Sequence, residues 1–194
     1  IFTAGNANAE LTTVPMQRRP LHMVLVRGTN LPMLYIHYLG MSHTPKFTIT
    51  STSYSNNNSN AAWVDTVWYI GGQLAETGVE RDSTAQIGFA RQQLTELLDW
   101  VDWSDAQFAT LRIDRAEAAQ NSGKRPDKPG VFAYDRHIVA WPTKLAMAPV
   151  LADEILALLK QKRIEPKWAI PVLPKHCSRP EPGLYPWQQI KTWI

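Results

Sequence analysis

The sequence predicts an α+β protein: a single mixed domain with a small sheet packed by three to five helices, an extended N-terminal arm and a Pro/aromatic-rich C-terminal tail. Three observations predict it. Short β-branched runs alternate with amphipathic helical patterns along the chain. The composition, 44% hydrophobic and 19% charged, is that of a globular protein, and eight Trp are far more than a disordered chain carries. A length of 194 residues is within what one hydrophobic core can organise.

Three segments are expected: an arm over 1–20, a mixed α/β core domain over 21–165, and an extended tail over 166–194. Residues 1–20 are small and polar, lack apolar periodicity and end in Pro15 and Pro20, the pattern of an arm ordered by whatever it lies on. Leu21–Val26 is a short apolar run closed by Arg27-Gly28, a buried strand. Asn30-Leu31-Pro32 has the form of a helix cap with Pro in the first turn, so a short helix is expected to about Leu39, with Gly40 just past its end. Phe47–Tyr54 alternates and is β-branched, a strand with one polar face, and Ser55–Asn60 is a polar loop tip. Trp63, Val67, Ile70 and Leu74 recur at helical spacing, which predicts a helix from Ala61 to about Glu76 with Gly71-Gly72 as an irregularity in it.

A clearer helix follows. Ser83 and Gln86 form a capping-box pattern, and Ile87, Ala90, Leu94, Leu97, Leu98 and Val101 mark one face. Another helix is expected from Ser104 or Asp105 through Phe108, Leu111 and Arg115, ending near Gly123. Lys124–Gly130 is a basic, turn-rich loop. Val131–Trp141 is the longest strand pattern, and its aromatic content predicts a place near the sheet centre. Thr143–Arg163 is the strongest helix pattern, with Leu151, Ile155, Leu158 and Leu159 on one face, cations at its C-terminal end, and Pro149 in the first turn or at a kink. Beyond Glu165, six of the fourteen prolines interleave with Trp168, Tyr185, Trp187 and Trp193, an extended aromatic tail.

Charge is unevenly spread. Residues 1–60 hold four basic side chains against one acid, residues 61–123 four against ten, and residues 124–194 twelve against six. An acidic middle beside a basic end suits an anionic partner, or subunits that pack acidic face to basic face. Lys124, Arg125, Lys128, Lys160, Lys162, Arg163 and Lys167 could track phosphates together, with Trp168 or Tyr185 available for base stacking.

The best acid–base candidates are Asp135 and His137. At i and i+2 on one strand their side chains share a face, and a carboxylate beside an imidazole is a common base-and-orienter pair. Asp127 with Glu165-Pro166-Lys167 resembles the two acids and lysine of the PD-(D/E)xK nucleases, with Pro166 as a departure inside what should be a strand. Arg27, Phe47 and Ser51-Thr52-Ser53 resemble the arginine and STS elements of NAD-using ADP-ribosyltransferases, whose Q-x-E or E-x-E element occurs nowhere in this sequence.

No metal site or cofactor is expected. The five His fall in no familiar ligand spacing, the lone Cys177 excludes zinc patterns that need two or more Cys, and neither GxxxxGK[ST] nor GxGxxG occurs. The apolar runs fall short of the roughly 20 residues that cross a bilayer, the opening residues do not form a signal peptide, and one cysteine suits a reducing compartment. A cytoplasmic protein or a virion component is therefore expected.

Arm, aromatic tail and opposed charges together predict a non-enzymatic subunit of a larger phage, virus or mobile-element assembly. Its partners would be other protein subunits, in a homo- or hetero-oligomer, docking through Trp168, Tyr185, Trp187 and Trp193. Two alternatives are a nucleic-acid-binding or nucleic-acid-processing protein using the basic C-terminal third, and an enzyme centred on Asp135 and His137.

Overall fold

The computed structural model describes residues 1–11, 13–41, 43–54, 65–141, 143–165, 181 and 183–194. Their contacts group into two compact units. One is Pro20–Ile113 with Gly183–Ile194, the other Ile1–Arg19 with Asp114–Pro182.

The first of these holds most of a five-stranded sheet. Its strands are β1 (Met16–Gly28), β2 (Tyr35–Tyr38), β3 (Phe47–Tyr54), β4 (Asp65–Gly71) and β5 (Gln107–Ala118), in the order β2-β3-β4-β1-β5. β4 runs antiparallel to both neighbours, with Ile70 opposite Val24 of β1 and Ile49 of β3. The alternation of β1, β3 and β4 therefore puts Val24, Val26, Ile49, Trp68 and Ile70 on one face, where they pack with Ile87, Ala90 and Leu94 of the helix α3 (Ser83–Leu97). Burying each such side chain stabilises by about 1.5–3 kcal/mol, so this face organises the unit. Trp68, fully buried, keeps its indole N–H satisfied by the Pro32 carbonyl at 2.8 Å and meets Trp103 edge to face. Sheet and helices bear out the α+β class.

Four expectations are corrected here. The helix expected over Asn30–Leu39 is an extended approach to the edge strand β2, because the aromatic and branched run Tyr35-Ile36-His37-Tyr38 pairs with β3. The helix expected over Ala61–Glu76 is, in its described part, β4 followed by the short α2 (Gln73–Thr77). Thr66-Val67-Trp68-Tyr69-Ile70 also fits helical spacing, but a continuous β-branched and aromatic run between two partner strands is a buried strand. Gly72 ends it at φ 81, where an added Cβ would lie 2.8 Å from the Phe47 Cα. The helix expected after Ser104 is β5, whose Thr110, Arg112 and Asp114 alternate with Leu111, Ile113 and Arg115 at period two.

The α3 start also differs in detail. Asp82, not Ser83, caps it, accepting from the Ala85 N–H at 2.8 Å, and this frees Gln86 to turn inward. Fully buried, Gln86 donates to the carbonyls of His22 and Leu74 at 2.9 and 3.0 Å and accepts from Arg81.

The second unit contains the fourth correction. Val131–Trp141 is a hairpin of β6 (Gly130–Tyr134) and β7 (His137–Trp141), a separate two-stranded sheet and not a central strand. Tyr134 pairs with His137 across a turn at Asp135-Arg136, and Asp135 sits at φ 47, which short polar side chains tolerate best. The helix α4 (Ala148–Gln161) follows a 3-10 turn at Leu145–Met147, with Pro149 in its first turn. Residues 1–11 lie on this unit: Phe2 donates to Ile138 O and accepts from Ala140 N, at 2.7 and 2.9 Å, flanking β7 in parallel. The tail's described end likewise packs on the first unit, where Ile194 and Phe108 exchange both backbone hydrogen bonds. No helix among the described residues is long and apolar enough to cross a membrane.

Candidate functional site

In the unit formed by Ile1–Arg19 and Asp114–Pro182, one cavity of about 300 Å³ gathers cationic, aromatic and strained residues. β5 delivers Arg115 and Glu117, two apart and so on one face, β7 ends there with the buried Trp141, and Lys144 opens the turn leading into α4. The N-terminal turn closes it: Gly5 adopts φ 58, its carbonyl accepts the Trp141 indole N–H at 3.2 Å, and an added Cβ would meet nothing within 4 Å, so this backbone borders open space. Thr143, also on the wall, is held at φ 50, a conformation costly for a β-branched residue and concentrated at functional sites.

Glu117 is buried, at 2% exposure, and is not a free acid. Its two oxygens are 3.3 Å from Arg19 and from the Gln17 amide, and Gln17 also donates to the Lys124 carbonyl at 2.8 Å. The described lining carries the cations Arg115 and Lys144 and the Glu117 carboxylate, which Arg19 pairs, beside an apolar wall of Trp141, Ala140 and Leu145.

In the other unit, the sheet face opposite α3 buries Leu21 and Met23 against Tyr69 and turns polar along β3. Thr48, Thr50 and Thr52 stand beside Tyr69, with the largely exposed Tyr35 at the edge. Burial pushes the Tyr69 phenol above its usual range, so it stays a hydrogen-bond donor at neutral pH.

The residues expected from sequence lie elsewhere. Asp135 lies in the hairpin turn and His137 opens β7, so they do not sit two apart on one strand; both are exposed, His137 stacks on Phe2 at 5.1 Å, and neither lines the cavity. Lys124, Arg125 and Lys128 are exposed on the loop before β6, and Lys160, Lys162 and Arg163 are exposed at the end of α4. Lys167 and Trp168 lie outside the described residues. Tyr185 and Trp187 stack on one another at 4.7 Å, and Trp193 lies under the Arg27 guanidinium, so these rings have partners within their own unit. Ser51 serves the fold: its hydroxyl bridges the Leu34 N–H and carbonyl, both at 2.7 Å. No cluster of three potential metal ligands occurs among the described residues.

Arg115, Glu117, Trp141 and Lys144 escaped the sequence reading. The one signal was the Arg-Ala-Glu spacing inside an alternating pattern, which identifies a strand face once β5 is recognised.

No protein-family model matches this chain. The chain is 47% identical, over 163 residues, to the probable FAD-dependent oxidoreductase PA4991 of Pseudomonas aeruginosa, a match covering 82% of this chain and 40% of that protein. The crystal structure of the FAD-dependent oxidoreductase PA4991 superposes with a TM-score of 0.79 at 42% identity, covering 96% of this chain and 51% of that one. These similarities overturn the expected phage, virus or mobile-element assembly subunit and the expected nucleic-acid binding, since the relative is named as a redox enzyme. The chain spans about half the length of the relative it matches.

Proposed function

We propose that this chain forms part of an FAD-dependent oxidoreductase and contributes one wall of the cavity in which the flavin ring and its substrate meet. The observation that carries the reading is the 47% identity over 163 residues to a protein named for that activity. Of the two alternatives weighed from sequence, this is the enzyme reading, with its centre moved from Asp135 and His137 to the Arg115 cavity.

The donor set suits a flavin. A bound flavin would take up an electron pair from the substrate, and positive charge beside the ring favours the electron-rich form that results. Arg115 and Lys144 are the residues that would supply this charge, Trp141 and Leu145 would exclude water, and the bare backbone at Gly5 permits close approach. Glu117, held by Arg19, would orient the β5 face without adding a free negative charge. About 300 Å³ accommodates one ring system and not a whole dinucleotide, in keeping with a chain that spans about half the relative.

The test is direct. The purified full-length protein is denatured and the supernatant is read for flavin absorbance and fluorescence, then the apoprotein is titrated with FAD. Near-stoichiometric flavin, or saturable recovery on titration, is expected. A well-folded protein that carries no flavin and takes up none would overturn the proposal.

A further inference from the structure

A separate cleft of about 210 Å³ lies in the other unit, where the C-terminal residues meet the ends of β1 and β4. Its described lining holds two cations, Arg27 and Lys191, and no acid. Arg27 is fixed from two sides: its Nε donates to Gln107 Oε1 at 2.8 Å, and its guanidinium carbon lies 4.5 Å over the Trp193 ring. Its two terminal amino groups make no hydrogen bond among the described residues. Trp187 also lines the cleft, and its indole nitrogen is buried with no partner among the described residues. Leaving such a donor unsatisfied is costly, and two like charges sharing a cleft repel. An anion with acceptor oxygens would relieve both.

The rest of the wall narrows the choice. Val67, Ile190 and the Trp193 ring are apolar, so a fully hydrated inorganic ion would lose solvation against them without recompense. The volume lies below that of drug-sized sites. We propose that the cleft between Arg27, Trp187, Lys191 and Trp193 is a second small-molecule site that binds an organic carboxylate with an apolar body, the carboxylate on the cations and the indole N–H, the body against Trp193 and Ile190. This site is independent of the flavin reading.

Calorimetric titration of the full-length protein with phenylacetate tests it, with phenylacetamide and inorganic phosphate as the neutral and purely ionic comparisons. Saturable binding of phenylacetate, at least tenfold tighter than of either comparison, is expected. Lys191→Met, an exposed position that leaves the fold intact, and Trp187→Phe, which removes only the N–H, should each weaken it severalfold, and Arg27→Gln by about tenfold, the worth of a charge-assisted hydrogen bond. Arg115→Met, in the other cavity, should leave it unchanged. Absence of saturable binding, equal binding of phosphate or the amide, or binding that Arg115→Met abolishes while Lys191→Met and Trp187→Phe leave it intact, would each overturn the assignment.

Discussion

Arg19 holds the buried carboxylate of Glu117 at 3.3 Å, and this pair underlies the β5 face that carries Arg115 into the cavity. Removing one partner of a buried pair strands the other charge, which costs more than the pair itself contributes. Arg19→Met is therefore expected to destabilise by about 3 kcal/mol. The double variant Arg19→Met/Glu117→Leu should recover much of that loss. Urea unfolding of the four members of the cycle measures both, and additive losses would show that the two side chains do not depend on each other.

The Gln86 amide is the polar hub of the other unit, joining α3 to His22 of β1 and Leu74 of α2. Gln86→Leu keeps the volume but removes the side-chain donor to two buried carbonyls, of which Leu74 O still accepts from the Gly78 N–H, so a loss of about 1–3 kcal/mol is expected from unfolding midpoints. Gln86→Glu should also destabilise, since a buried carboxylate cannot donate to either carbonyl.

Gly72 sits at φ 81 and ψ −157, a region essentially confined to glycine, and a Cβ there would press on Phe47 Cα and Pro45 O. Gly72→Ala is expected to cost about 3 kcal/mol or to abolish folding, whereas alanine at Gly88, where a Cβ meets nothing within 4 Å, should stabilise α3 by up to about 1 kcal/mol. Thermal unfolding of the two variants separates conformational strain from mere loss of glycine.

Burial raises the Tyr69 phenol above 10.0, the value it takes when exposed. With the folded value above the unfolded one, the unfolded chain loses its proton first as pH rises. The associated stability is thus fully present below pH 10.0 and is lost as pH climbs through the folded value. Denaturation midpoints at pH 8 and pH 11 should therefore fall less in Tyr69→Phe than in the unsubstituted protein; an equal fall would show that Tyr69 titrates alike in both states.

Local chemistry was legible where one period dominated. The α3 and α4 stripes, the apolar run of β1 and the alternation of Phe47–Tyr54 each admit one reading, and the structure agrees. Legibility failed where two periods fit the same residues: Phe108, Leu111 and Arg115 suit a helix as well as a strand, and only pairing in the sheet decides between them. The hairpin was hidden because Asp135-Arg136 lacks the Gly or Asn that usually announces a tight turn, so one strand was inferred where two stand. That error made Asp135 and His137 look like a pair. The cavity was invisible for a different reason: Gly5, Arg115, Trp141 and Lys144 are far apart in sequence and are brought together by the Phe2–Val139 bridge, the Trp141–Gly5 hydrogen bond and the β5 face.

The flavin reading makes a graded prediction at the two cations. Arg115 is half-buried and Lys144 exposed, and charge-assisted hydrogen bonds are worth about 1.5–3 kcal/mol when shielded from water but under about 1 kcal/mol at the surface. Arg115→Met should therefore weaken FAD binding roughly 10- to 150-fold, and Lys144→Met by less than about fivefold. Raising the salt concentration should erode the Lys144 contribution first, because exposed charges are screened and shielded ones are not. Titration of apoprotein with FAD, followed by flavin fluorescence at low and high salt, reads all of these. If Lys144→Met proved the more damaging, the ring would have to lie toward the α4 turn, with Arg115 serving the substrate instead.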